Sequence, residues 1–509
     1  MLNSRLENTK RNIITGLIRQ FMNIILPFIT QTLILYILGE QYQGLNGLFT
    51  SVLSILNLSE LGFSYAVIFV LYKPIAENNK ELICAIMAYL RKIYRYVGAA
   101  ILIIGLALMP FLRSLINGSV PNDVNIYVLY AIYLANSVVS YLLFAYKTAL
   151  ITAMQRTDIL NVITMIVKTV MQILQIVTLL IFHNYYWFVA LLPVFTIINN
   201  LLTEYVSHRT FPDITPKGEI PDSIKKELIK QVKGIFVGKV GDAARNGADN
   251  IIISALIGLT AVAVYNNYYY IYQAVYAVSL VIANSMGASV GNSVASETKE
   301  KNYADLCKFT FIYSWFTGWC TICMLCLYQD FMIIWMHGNT MLMLPDYDMI
   351  LFCIYFYAIT MNNIRNQYVN GSGLFWEIRV SNILEAASNI VLNLLLGYLL
   401  GITGVIIATL ITIIVFNYIA RTNILFDKYF KITPTKFYMQ NLLYIGVTTS
   451  VGTLTYLICS FVSICGIYGL VIKILICILL PNILCITIYF KTDKFKEAII
   501  FLGRILGMR

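Results

Sequence analysis

Ile159-Leu-Asn-Val-Ile-Thr-Met-Ile-Val-Lys168-Thr-Val-Met-Gln172-Ile-Leu-Gln175-Ile-Val-Thr-Leu-Leu-Ile-Phe182 runs for 24 residues with a single charge. At a helical rise of about 1.5 Å per residue, it reaches across a hydrocarbon core of about 30 Å. Lipid offers no hydrogen bonds, so the backbone must satisfy itself, which a helix does within one segment. Comparable runs recur along the chain, for example Ile101 to Met109 and Tyr438 to Val462. Over all 509 residues the composition is 59% hydrophobic and 12% charged, with a mean hydropathy of +0.75. That is too much apolar surface to hide from water, and the bilayer is the expected solvent.

Length and the Gly, Pro and charge punctuation predict about fourteen spans. They cover 14–38, 44–72, 93–113, 125–146, 159–182, 185–207, 234–257, 262–291, 309–336, 348–370, 380–400, 402–420, 438–461 and 466–490. With the N-terminus placed inside, thirty of the 36 Lys and Arg fall on inward segments, counting 365–379 and 421–436 among them. One, Arg113, falls outside, and five lie within spans. This asymmetry is the positive-inside pattern and predicts an even number of spans with both termini cytoplasmic. The net charge of +11 is then accounted for by orientation and anionic headgroups, with no nucleic acid. Met1 to Lys10 is polar, so no cleaved leader is read and the mature chain is expected to begin at Met1. Tyr185, Tyr186 and Trp187 read as an interfacial belt.

The ten cysteines fall almost entirely in predicted spans and read as small packing residues. Cys320, Cys323 and Cys326 form a CxxCxxC string, but in an apolar helix without a further ligand nearby in sequence, so no metal site is expected. His183 and His337 lie at span ends and suggest none either.

Sliding the chain against itself until Gly39 falls on Gly258 also aligns Gln20 with Lys239, Gln31 with Asn250 and Lys80-Glu81 with Lys299-Glu300. The same shift sets Asn23 on Asp242 and Thr30 on Asp249. A slightly smaller one sets Gln172 on Asn389 and, within one position, Gln175 on Asn393. Each half holds six spans, so the halves are parallel repeats. The predicted organisation is an N-terminal lobe over 1–208, a cytoplasmic linker with an amphipathic helix over 209–233, a C-terminal lobe over 234–424, and two further spans with a cytoplasmic tail over 425–509.

Charges inside the spans mark the candidate site. In span 7, at about 100° per residue, Lys239, Asp242, Arg245, Asn246, Asp249 and Asn250 share one face. A charge at a helix centre costs about 2.5–3.5 kcal/mol on insertion scales, so this face must meet water or compensating groups. Two cations beside two anions fit either internal ion pairs or an aqueous cavity. Span 1 carries a matching stripe of Asn12, Arg19, Asn23 and Thr30, where Arg19 has no acid within helical reach. Its guanidinium either snorkels to the inner face or meets phosphate, whose oxygens suit its donor fork. Lys168 in span 5 is similarly isolated along its helix. Glu60 and Glu385 are the remaining deep acids, and Glu385 shares a face with Asn389 and Asn393. That strip suits sugar hydroxyls or a coupling cation, or else holds helices together. The outward loops carry no catalytic constellation.

Several strings then resemble a known family. They are Gly247-Ala-Asp249-Asn-Ile-Ile-Ile-Ser254-Ala-Leu-Ile-Gly258 followed by Val264-Tyr265-Asn266-Asn-Tyr268, Leu58-Ser-Glu60-Leu-Gly62, and Asn389-Ile-Val-Leu-Asn393 through Gly401-Ile-Thr-Gly404-Val-Ile-Ile-Ala-Thr409. With the duplication and the span count, the chain resembles the polysaccharide-transport flippases, of the O-antigen type, in the multidrug/oligosaccharidyl-lipid/polysaccharide exporter superfamily. The resemblance covers nearly the whole chain. It implies an all-α membrane fold of two six-helix lobes around a cavity that alternates between faces, plus two C-terminal helices. It also implies a non-enzymatic carrier of undecaprenyl-diphosphate-linked glycan in the bacterial cytoplasmic membrane, with polysaccharide polymerase or export machinery as partners. Arg19, Lys239 and Arg245 would bind the diphosphate, with Asn23 and Lys168 beside them. Glu60, Asp242, Asp249, Glu385, Asn389 and Asn393 would serve sugars or a coupling ion. Asp242 and Asp249 depart from a simply positive cavity.

No Gly-rich nucleotide loop is present, so a Na⁺ or H⁺ gradient is the expected energy source, with no bound cofactor. Two other functions stay open. One is a cation-coupled drug exporter of the same superfamily, which would usually carry a carboxylate in span 1, where this chain has Arg19. The other is a membrane glycosyltransferase or polymerase, which the short outer loops disfavour.

Overall fold

The computed structural model describes residues 2–57, 63–464 and 466–505, with their side chains except at 2–17, 19, 63–66, 69, 227, 230, 231, 233–246, 285, 287–289, 292, 295 and 501–505. The described residues form helices α1 (Leu2–Ile37), α2 (Glu40–Leu56), α3 (Phe63–Ala76), α4 (Lys80–Leu108), α5 (Ile126–Leu142), α6 (Lys147–Ala153), α7 (Thr157–Phe182), α8 (Tyr185–Thr210) and α9 (Asp222–Leu256). There follow α10 (Leu259–Ser296), α11 (Lys299–Trp335), α12 (Asp346–Gly371), α13 (Arg379–Leu400), α14 (Ile402–Thr412), α15 (Arg421–Leu425), α16 (Thr435–Ser460), α17 (Gly466–Tyr489) and α18 (Asp493–Ile505). Wide π-turns over Ile413–Ala420 and Phe426–Phe430 continue α14 and α15.

Ten helices among the described residues are long and apolar enough to cross a membrane, or eleven if α5 and α6, bent by 54°, form one span. The remaining three of the fourteen expected spans are helical too, over α2 with α3, α9 and α10. The protein is an all-helical, multi-pass membrane protein. Its outward faces bear this out: Leu394, Leu395 and Leu399 on α13, and Leu475 and Leu479 on α17, are exposed where only lipid would satisfy them.

The duplication is visible in the element boundaries. α1 ends at Ile37 and α9 at Leu256; α2 begins at Glu40 and α10 at Leu259; α4 begins at Lys80 and α11 at Lys299. Each pair is separated by the interval that sets Gly39 on Gly258. Those two glycines make the turns between, with φ of 111° and 127°, values that a Cβ disfavours. Even the caps correspond: Asn79 Oδ1 accepts from the Leu82 N–H at 3.0 Å, and Thr298 Oγ1 from the Lys301 N–H at 3.3 Å.

The chain forms two compact units, Met1–Ala263 and Val264–Arg509. In the first, the core gathers around Leu45, Phe49, Leu90, Tyr130 and Leu134. In the second, Tyr313, Tyr368, Phe426 and Phe437 belong to one buried cluster, and Ile322, Val451 and Cys477 to another.

Three local readings change. The amphipathic stretch 223–233 is no separate surface helix, because no proline interrupts it and it runs on as the first turns of α9. The preceding linker does not hang free, since Lys80 Nζ meets Asp213 Oδ2 at 2.6 Å and Arg91 donates to the Pro216 carbonyl at 3.4 Å. Tyr185 leaves the expected belt: it is buried, with its hydroxyl 3.0 Å from that of Tyr133, while Trp187 stays exposed.

Candidate functional site

The candidate site in the first unit begins with α7. Its exposed apolar residues, Val162, Ile166, Val170, Ile173, Val177 and Ile181, recur at helical spacing and form one lipid-facing stripe. Asn161, Lys168, Gln172 and Gln175 lie on the other side of the helix. Gln175 is buried there and donates to the Phe188 carbonyl at 3.1 Å, closing this part of the face against α8. Lys168, two turns earlier, is exposed. A charged residue exposed on the side away from lipid calls for a polar environment beside it.

Helix α1 packs on α7. Ile18, Phe21, Ile25 and Ile29 form its exposed apolar stripe, and Asn23 and Thr30 face the other way, half-buried and buried. Thr30 returns its hydroxyl to the Leu26 carbonyl at 2.9 Å.

The end of α9 is held within the same unit. Asp249 is buried, and Asn250 Nδ2 donates to Ser51 Oγ on α2 at 2.9 Å. Gly247 brings the helix against Ile55, and Asn117 caps the helix end through the carbonyls of Ser254 and Leu256, at 2.9 and 2.8 Å. Glu60 lies outside the described residues. So do the side chains of Arg19, Lys239, Asp242 and Arg245.

In the second unit, Glu385, Asn389 and Asn393 share a face of α13, as their spacing predicts, and that face is buried. Asn389 Nδ2 donates to Thr409 Oγ1 at 3.2 Å, and Asn393 Nδ2 to Asn389 Oδ1 at 3.2 Å. The amides therefore bond α13 to α14 and to one another. Glu385 accepts from Arg421 Nη2 at 2.6 Å and from Asn417 Nδ2 at 3.5 Å.

Behind this pair stands a residue that sequence reading assigned to an inward segment. Arg365 is 2% exposed, within α12. Its Nη1 donates to the carbonyls of Asn417 and Tyr418 at 2.6 and 3.0 Å and to Thr422 Oγ1 at 3.1 Å. Its Nη2 reaches Asn417 Oδ1 at 2.8 Å and Asn366 Oδ1 at 2.7 Å. The accepting carbonyls belong to the π-turns, whose shifted bonding register frees acceptors that a regular helix would occupy. The available signal was the polar run Asn362-Asn363-Ile364-Arg365-Asn366-Gln367 at the end of an apolar span.

The first repeat holds the counterpart. The slightly smaller offset that joins the α7 and α13 amides also sets Lys168 on Glu385, Asn200 on Asn417 and Glu204 on Arg421, and within one position it sets Lys147 on Arg365. Lys147, 2% exposed, pairs with Glu204 at 3.3 Å, and Asn200 donates to the Ser140 carbonyl at 3.2 Å. Each repeat thus buries charge at the same place, with the signs on the last two helices exchanged. Because Glu204 turns to Lys147, Lys168 need not be buried as Glu385 is.

No protein-family profile and no curated protein sequence matches the chain. Solved structures do. Lipid II flippase MurJ, in its inward closed conformation, aligns with a TM-score of 0.68 at 14% identity, over 94% of this chain and 98% of that one. An inward-facing multidrug resistance MATE family transporter of the MOP superfamily aligns with a TM-score of 0.58 at 14% identity, over 78% and 93%. The fold is that of the MOP-superfamily transporters. A MOP transporter from Pyrococcus furiosus, described as having a binding pocket of reversed polarity, aligns with a TM-score of 0.56 at 13% identity, over 84% and 97%. The expected flippase-like and MATE-like architecture is therefore present.

Proposed function

We propose that this chain is a flippase that moves an undecaprenyl-diphosphate-linked oligosaccharide, the repeat unit of a surface polysaccharide, across the bacterial cytoplasmic membrane by alternating access. The observation that carries the reading is the position of Lys168, an exposed residue opposite the lipid stripe of α7 and on a helix packed against α1. A cation kept at membrane depth away from lipid is a site for an anion, and a diphosphate is the anion such a carrier must strip of water. Arg19 and Asn23 from α1 and Lys239 and Arg245 from α9 extend this positive surface. Guanidinium forks match phosphate oxygens in pairs. The sugars follow through the hydrated path and the polyprenyl tail stays in the bilayer.

Asp242, Asp249 and Glu60 are the proposed sites for a coupling Na⁺ or H⁺. Glu385, held by Arg421, and the Asn389–Asn393 pair stand second in that role. Both termini are placed in the cytoplasm, where the glycan is loaded. A polymerase or export complex on the far side is the proposed recipient. Likeness to a structure entitled lipid II flippase supports a lipid-linked cargo.

A second reading, a cation-coupled drug exporter, draws support from the MATE alignments. One experiment separates the two. After depletion of the protein, mass spectrometry of lipid extracts should show lipid-linked oligosaccharide accumulating on the inner leaflet. Unchanged lipid intermediates together with altered drug susceptibility would favour the exporter.

A further inference from the structure

Three helices of the second unit converge on sulfur. Cys326 of α11, Cys459 of α16 and Cys477 of α17 place their Sγ atoms within 4.8 Å of one another, and their exposures are 6%, 2% and 0%. Cys323, one turn before Cys326, points its thiol at the Cys477 carbonyl at 3.9 Å. Three of the nine described free cysteines thus meet at one point with Cys323 beside them, although Cys323 and Cys477 lie 154 residues apart. Apolar side chains pack around these cysteines, among them Ile322, Val447 and Val451.

The surroundings hold α11 and α17 in register around that point. One turn along α11 and α17, Asp330 Oδ2 meets Lys473 Nζ at 2.5 Å. Two and three turns the other way along α11, Trp319 Nε1 donates to the Cys477 carbonyl at 2.8 Å and Trp315 Nε1 to Asn482 Oδ1 at 2.9 Å. These contacts fix the rotation of α17 against α11 from both sides of the cysteines.

We propose that Cys326, Cys459 and Cys477 form a binding site for a thiophilic monovalent d¹⁰ cation, Cu(I), which clips α16 and α17 to α11. Thiolate sulfur selects soft cations over the hard ions that carboxylates bind. Three buried sulfurs within 4.8 Å of one another suit a low-coordinate ion, whereas a structural Zn²⁺ takes four ligands. Binding displaces protons from two of the thiols to solvent and leaves the third as a neutral donor. The site then carries one negative charge, and Lys473, on the same face of α17 one turn from Cys477, shares its positive charge between Asp330 and the site. No electron transfer is involved.

The test uses the full-length protein in detergent under a reductant, with Cu(I) supplied by the chromophoric chelator bicinchoninate. One Cu(I) per chain should be withdrawn from the chelator, and X-ray absorption should show a first shell of sulfur alone. Cys477→Ser should lower affinity by at least about tenfold, while Cys353→Ser, buried elsewhere in the same unit, leaves it unchanged. Lys473→Gln should weaken binding by about ten- to a hundredfold, as loss of a supporting group around a metal site does. The proposal is overturned if the wild-type protein takes up no more Cu(I) than Cys326→Ser/Cys459→Ser/Cys477→Ser. Oxygen or nitrogen in the first shell, or a disulfide among these cysteines in the protein as purified, would overturn it too. Uptake by the wild type and its sulfur shell decide the matter even where a serine variant fails to fold.

Discussion

Arg421 Nη2 donates to Glu385 Oε2 across 2.6 Å, with Glu385 buried and Arg421 largely so beside the π-turns that follow α14. Their counterparts in the first repeat, Glu204 and Lys168, carry the opposite charges, and there Glu204 has turned to Lys147. A duplicated fold has kept the location of its buried charge while changing which helix supplies which sign. The consequence is unequal: the α13 face is sealed, and the α7 face presents a cation.

Removal of one partner of a buried pair strands the other charge and costs about 3–5 kcal/mol. Glu385→Gln and Arg421→Leu should each lower the thermal midpoint in detergent by several degrees. Glu385→Lys/Arg421→Glu, which installs the first repeat's signs, should recover much of the loss. A double variant no more stable than either single one would show that the pair itself contributes little.

Water beside Lys168 can be probed directly. In a background whose native cysteines are replaced by serine, Lys168→Cys should react with a hydrophilic maleimide, because reaction needs an ionised thiolate and water. Ile173→Cys, on the exposed apolar stripe of the same helix, should stay unlabelled in membranes. Equal labelling of both positions would remove the argument for a hydrated face.

Transport follows from the proposed diphosphate contacts. Arg19→Ala and Lys168→Ala should each cut delivery of lipid-linked oligosaccharide to the outer leaflet at least tenfold, at unchanged membrane levels of the protein. Arg19→Lys should be only partly active, since an ammonium lacks the paired donors of a guanidinium. Full transport by Arg19→Ala would rule that residue out as a ligand.

The two turn glycines should differ in sensitivity. Gly39→Ala adds a methyl that meets nothing within 4 Å, so only backbone strain is felt, about 1–3 kcal/mol. At Gly258 the same strain is joined by a Cβ 2.9 Å from the Asn117 carbonyl oxygen. Thermal unfolding should therefore rank Gly258→Ala as the less stable variant.

The linker contact is pH-dependent. A hydrogen bond from Lys80, and then its charge, hold the Asp213 carboxyl below its ordinary value. A lowered folded value means that the contact stabilises fully above the ordinary carboxylate range and is lost as pH falls through the lowered value. Hydrogen exchange of peptides covering 211–221, corrected for intrinsic rates, should be slow at pH 6 and faster near pH 3. Lys80→Met should show the faster exchange at both.

Much of this was legible in the chain. Apolar runs of membrane length dictate helices, because lipid leaves the backbone no other partner. The internal repeat dictates two matching sets of them, down to the glycine turns at 39 and 258. Rotation about a helix axis also sets Glu385, Asn389 and Asn393 on one face, since that geometry is local to the segment. What such a face touches is not local. Arg365 reads as the end of a span, yet it is buried because π-turns 52 residues away turn carbonyls toward it. Arg421 reads as a loop cation until α13 supplies Glu385. Cys320, Cys323 and Cys326 read as packing because Cys459 and Cys477 arrive from two other helices. Periodicity fixes the direction in which a side chain leaves its own helix, and only the packing of distant segments decides which partner stands there.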